Sequence, residues 1–402
     1  MAEKATTTTA LATSLPPELL SRIFAQHIQF CKAEWDQGAS KERLPASCWP
    51  EVGPYTWIRV THVCRYWRDV ALASPLLWSD IVLTCDQECL ETMLTRSQQV
   101  ALSVQSYTSS CSGEACPAPI RSLRLVLMHL FRIRSLALYI KWWVYLDIID
   151  ALRGPAPLLQ RLTLSTPSGL YDTAYMQPVV HPPQHAPLEE LTLCSFGFPW
   201  AHPVPFRALK SLRIVKGIPY RPEVDDVLDG LRLMPDLRSL ALEDVFYPSA
   251  SGLASLPAAR SVVPLPKLQQ LVLSGDCIAC GTLLSSLELP SSTRITVNYH
   301  HTKRPEDLAL ALAAVKAKFT PEGKGAQERV EIEVTELRCR LEQYPTAYGW
   351  YFWQSPSDSR AEAASPFSTA NLAVRIPHHP AHREVLLREL PVKMINQVAI
   401  AA

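Results

Sequence analysis

Charge of one sign is what this chain most clearly lacks. Thirty-nine Lys and Arg stand against 38 Asp and Glu, a formal net charge of +1 over 402 residues, and charged residues make up only 19%. So even a balance gives no electrostatic reason for nucleic acid or an anionic membrane to be the main partner. Long apolar runs are missing as well. The most apolar span, Leu123 to Leu152, is broken by Arg124, Arg132, Arg134, Lys141 and Asp147, which argues against a membrane-spanning helix. The opening MAEKATTTTALATS is polar and Thr-rich, without the apolar centre of a secretory signal. Eleven cysteines, an odd number scattered without regular spacing, make no disulfide framework. A reducing location, cytoplasmic and/or nuclear, is expected. With 48% apolar residues the chain is globular in character, and its length suits two or three domains.

Catalytic signatures are missing too. There is no G-x-S-x-G nucleophile turn and no H-E-x-x-H metal helix. Gly323-Lys324-Gly325 lacks the spacing and the following Ser or Thr of a phosphate-binding loop. Cys277-Ile278-Ala279-Cys280 is a lone C-x-x-C with no second pair at zinc spacing, and it reads as two ordinary repeat-turn cysteines. His300-His301 and His378-His379 with His382 sit in loop-like stretches without a carboxylate or cysteine complement. The expectation is a protein that is not an enzyme and holds neither cofactor nor metal.

Glycine is scarce (14) and proline abundant (34), and the prolines punctuate the middle of the chain just ahead of leucine-rich runs. These runs are an internal repeat of the form L-x-x-L-x-L. They are Ile133-Leu136-Leu138, Leu159-Leu162-Leu164, Leu188-Leu191-Leu193, Leu209-Leu212-Ile214, Leu237-Leu240-Leu242 and Leu268-Leu271-Leu273. Their central leucines are 26, 29, 21, 28 and 31 residues apart, bracketing the roughly 20–29 residues of a leucine-rich repeat. Period-2 alternation sends both leucines of Leu191-Thr192-Leu193 inward and the threonine outward. One such unit cannot cover its own leucines. Neighbours must stack, giving an irregular solenoid with a parallel concave sheet. Val100–Val104 reads as an atypical first strand, Arg294–Val297 as a further one, and Asp225–Leu231 as a helical return. The concave positions would be Ala137, Thr163, Thr192, Arg213, Ala241 and Val272, flanked by Arg161, Glu190, Ser211, Ser239 and Gln270, a face of mild, mixed charge.

Beyond about residue 300 the pattern changes to that of an α/β cap closing the stack. Glu306–Phe319 has Leu308, Leu312, Val315 and Phe319 on one helical face, with acids at its start and Lys316 and Lys318 at its end. Arg329–Leu337 alternates as a strand, Tyr348–Trp353 and Asn371–Ile376 are further strand candidates, and His382–Leu390 is a terminal helix candidate. The aromatic run 348–353 would pack the cap or anchor a protein partner; both readings stay open.

The amino-terminal stretch carries the most specific signal. In LPPELLSRIF (15–24), Pro16 and Pro17 suit a first helical turn, and Leu19, Leu20, Ile23 and Phe24 make an apolar stripe. Trp57, Val60, Cys64, Trp67 and Ala71 follow at helical spacing, and Ser74-Pro75 caps a third short helix bearing Leu76, Leu77 and Trp78. Three helices this short cannot bury that much apolar surface among themselves. Leu15-Pro16-Pro17-Glu18-Leu19-Leu20, Ile23-Phe24, Val60, Val63-Cys64-Arg65, Trp67-Arg68, Ala71 and Pro75-Leu76-Leu77-Trp78 together resemble an F-box, the motif that docks a substrate receptor on the Skp adaptor of an SCF (cullin–RING) ubiquitin ligase. One departure is the insert at 31–56, whose Gly, Pro and charge read as a loop excursion.

The resemblance implies an α/β chain of four parts: a disordered start (1–13), a three-helix F-box (14–81), irregular leucine-rich repeats (82–300) and the cap (301–402). It implies that Leu15, Pro16, Leu19, Leu20, Ile23, Phe24, Val60, Val63, Cys64, Trp67, Leu77 and Trp78 meet the Skp adaptor or fill the motif's own core. The repeats would then hold a target protein for ubiquitin transfer. The alternative is a non-catalytic leucine-rich-repeat scaffold with no part in ubiquitin transfer.

Overall fold

The computed structural model describes residues 15–41, 55–83, 86–106, 118–166, 179–181, 183–203, 206–216, 222–246, 262–290, 292–301, 307, 309–311, 313–314 and 372–375. The chain is mixed α/β and falls into two compact units. One runs from the amino-terminal helices to Gln160 and takes in 183–186; the other holds the elements from residue 161 onward. The division therefore lies well beyond the end of the amino-terminal helices at 81.

The first unit opens with helix α1 (Pro17–Lys41), a 3₁₀ turn η1 (Thr56–His62), α2 (Arg65–Leu72) and a second 3₁₀ turn η2 (Pro75–Trp78). Then come β1 (Asp80–Leu83), α3 (Gln87–Arg96), β2 (Leu102–Ser106), α4 (Ala118–Leu127), β3 (Ile133–Tyr139) and α5 (Trp142–Leu152). The three strands pair in parallel, β1 to β2 to β3, and align Ile81, Val104 and Leu136 in one buried row. Arg132 is buried in front of β3, where its guanidinium donates to Leu94 O, Val100 O and Ser97 Oγ. It donates to the Leu94 carbonyl near the end of α3, which also accepts from Ser97 Oγ, and burial lowers its pKa.

Several expectations change here. α1 does not stop before the supposed loop insert at 31–56: residues 31–41 continue the helix, because Cys31 is buried in the same stripe and Lys32 pairs with Asp80 at 3.7 Å. The single helical run expected from Trp57 to Ala71 is two pieces. Cys64 breaks it with extended backbone (φ −159°, ψ 170°), and Arg68 Nε takes the Thr61 carbonyl that a continuing helix would have used. The first strand is β1, inside the stretch assigned to the amino-terminal helices, and β2 lies two residues later than Val100–Val104. Helices α3, α4 and α5 carried no sequence expectation.

The second unit contains β4 (Arg161–Ser165), β5 (Glu190–Cys194), β6 (Ser211–Val215), α6 (Val224–Arg232), β7 (Ser239–Glu243), β8 (Val263–Pro264), β9 (Gln270–Asp276), α7 (Cys277–Ser285), β10 (Leu287–Glu288), β11 (Arg294–His301) and β12 (Leu372–Arg375). β4, β5, β6, β7, β9, β11 and β12 pair in parallel in that order, and β8 pairs with β10. The register aligns Leu162, Leu191, Leu212, Leu240, Leu271 and Ile295 in one row and Leu164, Leu193, Ile214, Leu242, Leu273 and Val297 in another, all buried. The leading leucines Leu159 of the first unit and Leu188, Leu209, Leu237 and Leu268 of the second are buried ahead of their strands. Three successive connections, from β5 to β9, repeat one backbone step. Glu189 O accepts from Lys210 N and Ser211 N, Lys210 O from Arg238 N and Ser239 N, and Arg238 O from Gln269 N and Gln270 N, all between 2.7 and 3.0 Å.

The upper end of the strands repeats too. Ser195, Lys216 and Asp244 take left-handed backbone (φ 60°, 51° and 53°) and donate to Val215 O, Glu243 O and Ser274 O on the next strand. At the same register β9 has Gly275 with φ +130°, where a side chain is strained. α6 fits the expected return at Asp225–Leu231 and starts with a capping box between Glu223 and Asp226. α7 is a departure, because Cys277 and Cys280 lie buried on a helix and not in a repeat turn. Asn371–Ile376 holds β12. Of Glu306–Phe319, the described residues 307, 309–311 and 313–314 are helical, with Ala311 and Ala314 buried. The expectations at 1–13, 329–337, 348–353 and 382–390 lie outside the described residues.

Leu212→Ala is expected to cost about 2–5 kcal/mol of stability, against about 0.5 kcal/mol or less for the outward Thr192→Ala. Gly275→Ala should cost about 1–3 kcal/mol through backbone strain alone, since its Cβ would meet Asp244 Oδ1 only at an ordinary 3.4 Å. Urea unfolding of the three variants measures all of this.

Candidate docking surface

The twelve residues of the amino-terminal signal separate into a sealed set and an open set. On α1, Leu20, Phe24, Ile28 and Cys31 recur at helical spacing and are buried. Phe24 meets Trp67 edge-on at 5.2 Å between ring centres. Trp57 and Trp78 do the same at 5.0 Å, Trp78 Nε1 donates to Ala71 O, and Arg96 stacks over the Trp78 ring at 4.4 Å. Val60, Leu77 and Trp78 are buried, while Leu15, Cys64 and Trp67 are partly covered. Of the twelve, Leu20, Phe24, Val60, Leu77 and Trp78 are therefore core and present no surface to another chain.

The open set is apolar nonetheless. A quarter turn round α1 from the buried stripe, Leu19, Ile23 and Phe30 are 47%, 45% and 60% exposed; Val63 and Leu76 reach 58% and 73%. Pro16 is exposed at the helix start, where Leu20 N donates to its carbonyl. Val63 is open because the chain turns at Cys64, whose Sγ accepts from Trp67 N and so caps α2. Phe30 and Leu76 were not among the twelve. Phe30 lies on α1 beyond the LPPELLSRIF stretch and just ahead of the supposed insert at 31–56, and Leu76 faces outward because η2 is a 3₁₀ turn with Leu77 and Trp78 inside. Full cover of such side chains stabilises by about 1.5–3 kcal/mol each, so this surface holds several kcal/mol for whatever seals it.

Hydrogen bonds hold this layer in place. Ser74 occupies the cap position of η2, but its hydroxyl donates to Val70 O and lies 2.9 Å from Ser21 Oγ, joining α1 to α2. Tyr66 donates to Leu15 O. Tyr55 Oη donates to Val82 O at 2.6 Å and accepts from Val82 N at 2.9 Å, acting as a strand partner for the outer edge of β1. Burial, and then the nearby Cys89 and Asp80, push the Tyr55 phenol well above the usual tyrosine range, while its bond to Val82 pulls it down. A cleft of about 20 Å³ between Ile28, Lys32, Trp57, Asp80, Ile81, Val82, Ser103 and Gln105 has room for one water.

In the second unit the outward rows are Arg161, Glu190, Ser211, Ser239, Gln270 and Thr163, Thr192, Arg213, Ala241, Val272, as the alternation requires, but Ala241, expected on the open face, is buried. Arg213 pairs with Glu243 across the strands at 2.9 Å. Asp244 Oδ1 and Asn298 Oδ1 are buried acceptors without a protein partner. Ala137, the remaining position expected on that face, belongs to β3 in the first unit. Burial first, then Asp276, Cys277 and Asp244, push the Cys280 thiol up. Among the described residues no three His, Cys, Asp or Glu side chains group to hold a metal, and no helix is long and apolar enough to cross a membrane. No family model matches the chain, and no curated protein matches it.

Tyr55→Phe is expected to cost about 1–3 kcal/mol by stripping both Val82 backbone groups of their partner. The phenol also sets a pH dependence. Above pH about 10 the unfolded chain loses the Tyr55 proton while the folded chain keeps it, so unfolding free energy falls as pH rises. Denaturant titrations from neutral to alkaline pH should show a steeper decline in the wild type than in Tyr55→Phe.

Proposed function

We propose that the chain is a substrate-recognition adaptor of an SCF-type cullin–RING ubiquitin ligase, working in the cytoplasm or nucleus. The 15–78 segment acts as an F-box on the Skp adaptor, and the leucine-rich strands act as a repeat solenoid that holds the target protein. The observation that carries this reading is the division of one short segment into a sealed aromatic core and an open apolar stripe, Leu19 and Ile23, at positions shared with the F-box pattern. Val63 extends the open set, and Leu76 belongs with it.

On this reading the chain performs no chemistry. It holds a target near a ubiquitin-charged conjugating enzyme carried elsewhere on the ligase, and its contribution is effective concentration and orientation. The leucine rows support the second half of the proposal, because parallel strands stacked on shared leucines leave an outward face built from Thr, Ser and the Arg213–Glu243 pair.

Leu19→Ala combined with Ile23→Ala is expected to abolish co-purification of the Skp adaptor while leaving the circular dichroism spectrum unchanged, since both side chains are already exposed in the isolated chain. Buried anchors commonly cost about 2 kcal/mol or more each on truncation. Normal adaptor recovery with the folded double variant would contradict the docking role. If the adaptor binds but no cullin follows, and no bound protein is ubiquitinated in a reconstituted mixture, the chain is a scaffold and not a ligase receptor.

A further inference from the structure

The cations of the second unit collect where its strands begin. Arg161 opens β4, Arg207 and Lys210 stand ahead of β6, Arg238 ahead of β7 and Lys267 ahead of β9, and Arg294 opens β11. The strand entries are residues 187–190, 207–211, 235–239, 266–270 and 292–294 together with Arg161, all of them described. They hold these six cations against three acids, Glu189, Glu190 and Asp236. Two of the acids are already neutralised, Glu189 by Lys210 at 2.6 Å and Asp236 by Lys267 at 2.5 Å. Arg161, Arg207 and Arg238 are exposed, and none of them has an ion-pair partner among the described residues. The acids gather at the other end. Residues 216–226 and 243–244, where β6 and β7 finish, hold Glu223, Asp225, Asp226, Glu243 and Asp244 against Lys216 and Arg221. A chain balanced at +1 therefore carries one basic edge.

The backbone keeps this edge regular. The carbonyl steps at Glu189, Lys210 and Arg238 set the strand entries side by side. With about 4.8 Å between neighbouring strands, the row from β4 to β11 spans about 24 Å. The exposed Asp236 carboxyl feels the edge's field. It is held below the usual carboxylate range by the hydrogen bond from Lys267 and then by the charge of Lys267, with burial opposing and Arg238 and Lys210 adding to the pull. We propose that this edge docks an acidic polypeptide segment, extended along the row over about seven residues. Arginine forks suit carboxylates. Nucleic acid fits the edge poorly, because its unbroken phosphates would meet Glu190. Between the charges stand Pro187, Ala208, Pro235 and Pro266, which give a base no ring to stack on. The proposal uses none of the amino-terminal helices and does not rest on the ubiquitin-ligase reading.

The experiment is fluorescence anisotropy of the full chain with a labelled oligoglutamate of about twelve residues, longer than the row requires. A Ser-Gly peptide and an oligothymidylate of equal length serve as comparators. Oligoglutamate should bind, weakening about tenfold or more between about 50 and about 300 mM salt, and the Ser-Gly peptide should not bind. Arg161→Gln with Arg207→Gln and Arg238→Gln should weaken oligoglutamate binding about tenfold at low salt. Glu190→Gln, which removes the exposed acid from the row, should tighten it about twofold. Arg121→Gln with Arg124→Gln, exposed cations of the first unit, should leave it unchanged. Thermal melting checks that each variant is folded. The inference is overturned if the wild type fails to bind oligoglutamate at low salt, or if the folded triple variant binds as the wild type does. It is equally overturned if the Arg121 and Arg124 variant loses as much, or if oligothymidylate binds as tightly as oligoglutamate.

Discussion

A short helix or strand cannot cover its own large apolar side chains, and most of this structure answers that constraint. In the second unit the answer is repetition. Leu212 is sealed from one side by Leu191 and from the other by Leu240, which depend in turn on Leu162 and Leu271. Because register fixes which side chains meet, the backbone steps that hold register recur with the leucines. The doubly accepting carbonyls of Glu189, Lys210 and Arg238 lie at one end, and the left-handed residues Ser195, Lys216 and Asp244 at the other. Shifting any strand by one residue would turn its leucines outward, so the ladder is specified at both ends as well as along its length.

In the amino-terminal helices the same constraint is met only in part. Phe24 and Trp67 cover each other, Trp57 and Trp78 do likewise, and Tyr55 closes the outer edge of β1. What lies a quarter turn away on α1 is left open. A layer this well packed on one side, with large aliphatic side chains uncovered beside it, is physically incomplete. That incompleteness is the argument for a partner, and it arises from burial alone, whatever the pattern resembles.

The leucine strands were legible in advance because period-2 alternation and L-x-x-L-x-L spacing leave a direct trace in the residues. Thr163, Thr192 and Arg213 fell on the outward face for that reason. Elements without such a trace were missed. β1 is only four residues long, and α3 and α5 have apolar faces that also read as continuations of leucine runs. The break at Cys64 was invisible because Trp57, Val60, Trp67 and Ala71 keep helical spacing across it; what ends η1 is a side chain, Arg68, reaching a carbonyl. Residues 31–41 read as loop through their glycine and charge, yet Cys31 still belonged to the buried stripe. Of the twelve docking candidates, residue type alone could not separate Leu19 from Leu20 or Ile23 from Phe24. Helix rotation does, and it needs the buried face to be known.

The central claim is that residues 15–24 and 63–78 expose apolar surface for a separate subunit. Amide hydrogen exchange of the full chain, with and without a purified Skp adaptor, tests it most directly. The account predicts slowed exchange in α1 from Pro17 to about Phe30 and from Val63 to Leu76, with the leucine strands β5 to β9 unchanged. Equal exchange in those segments with and without saturating adaptor, or protection confined to the leucine strands, would contradict it.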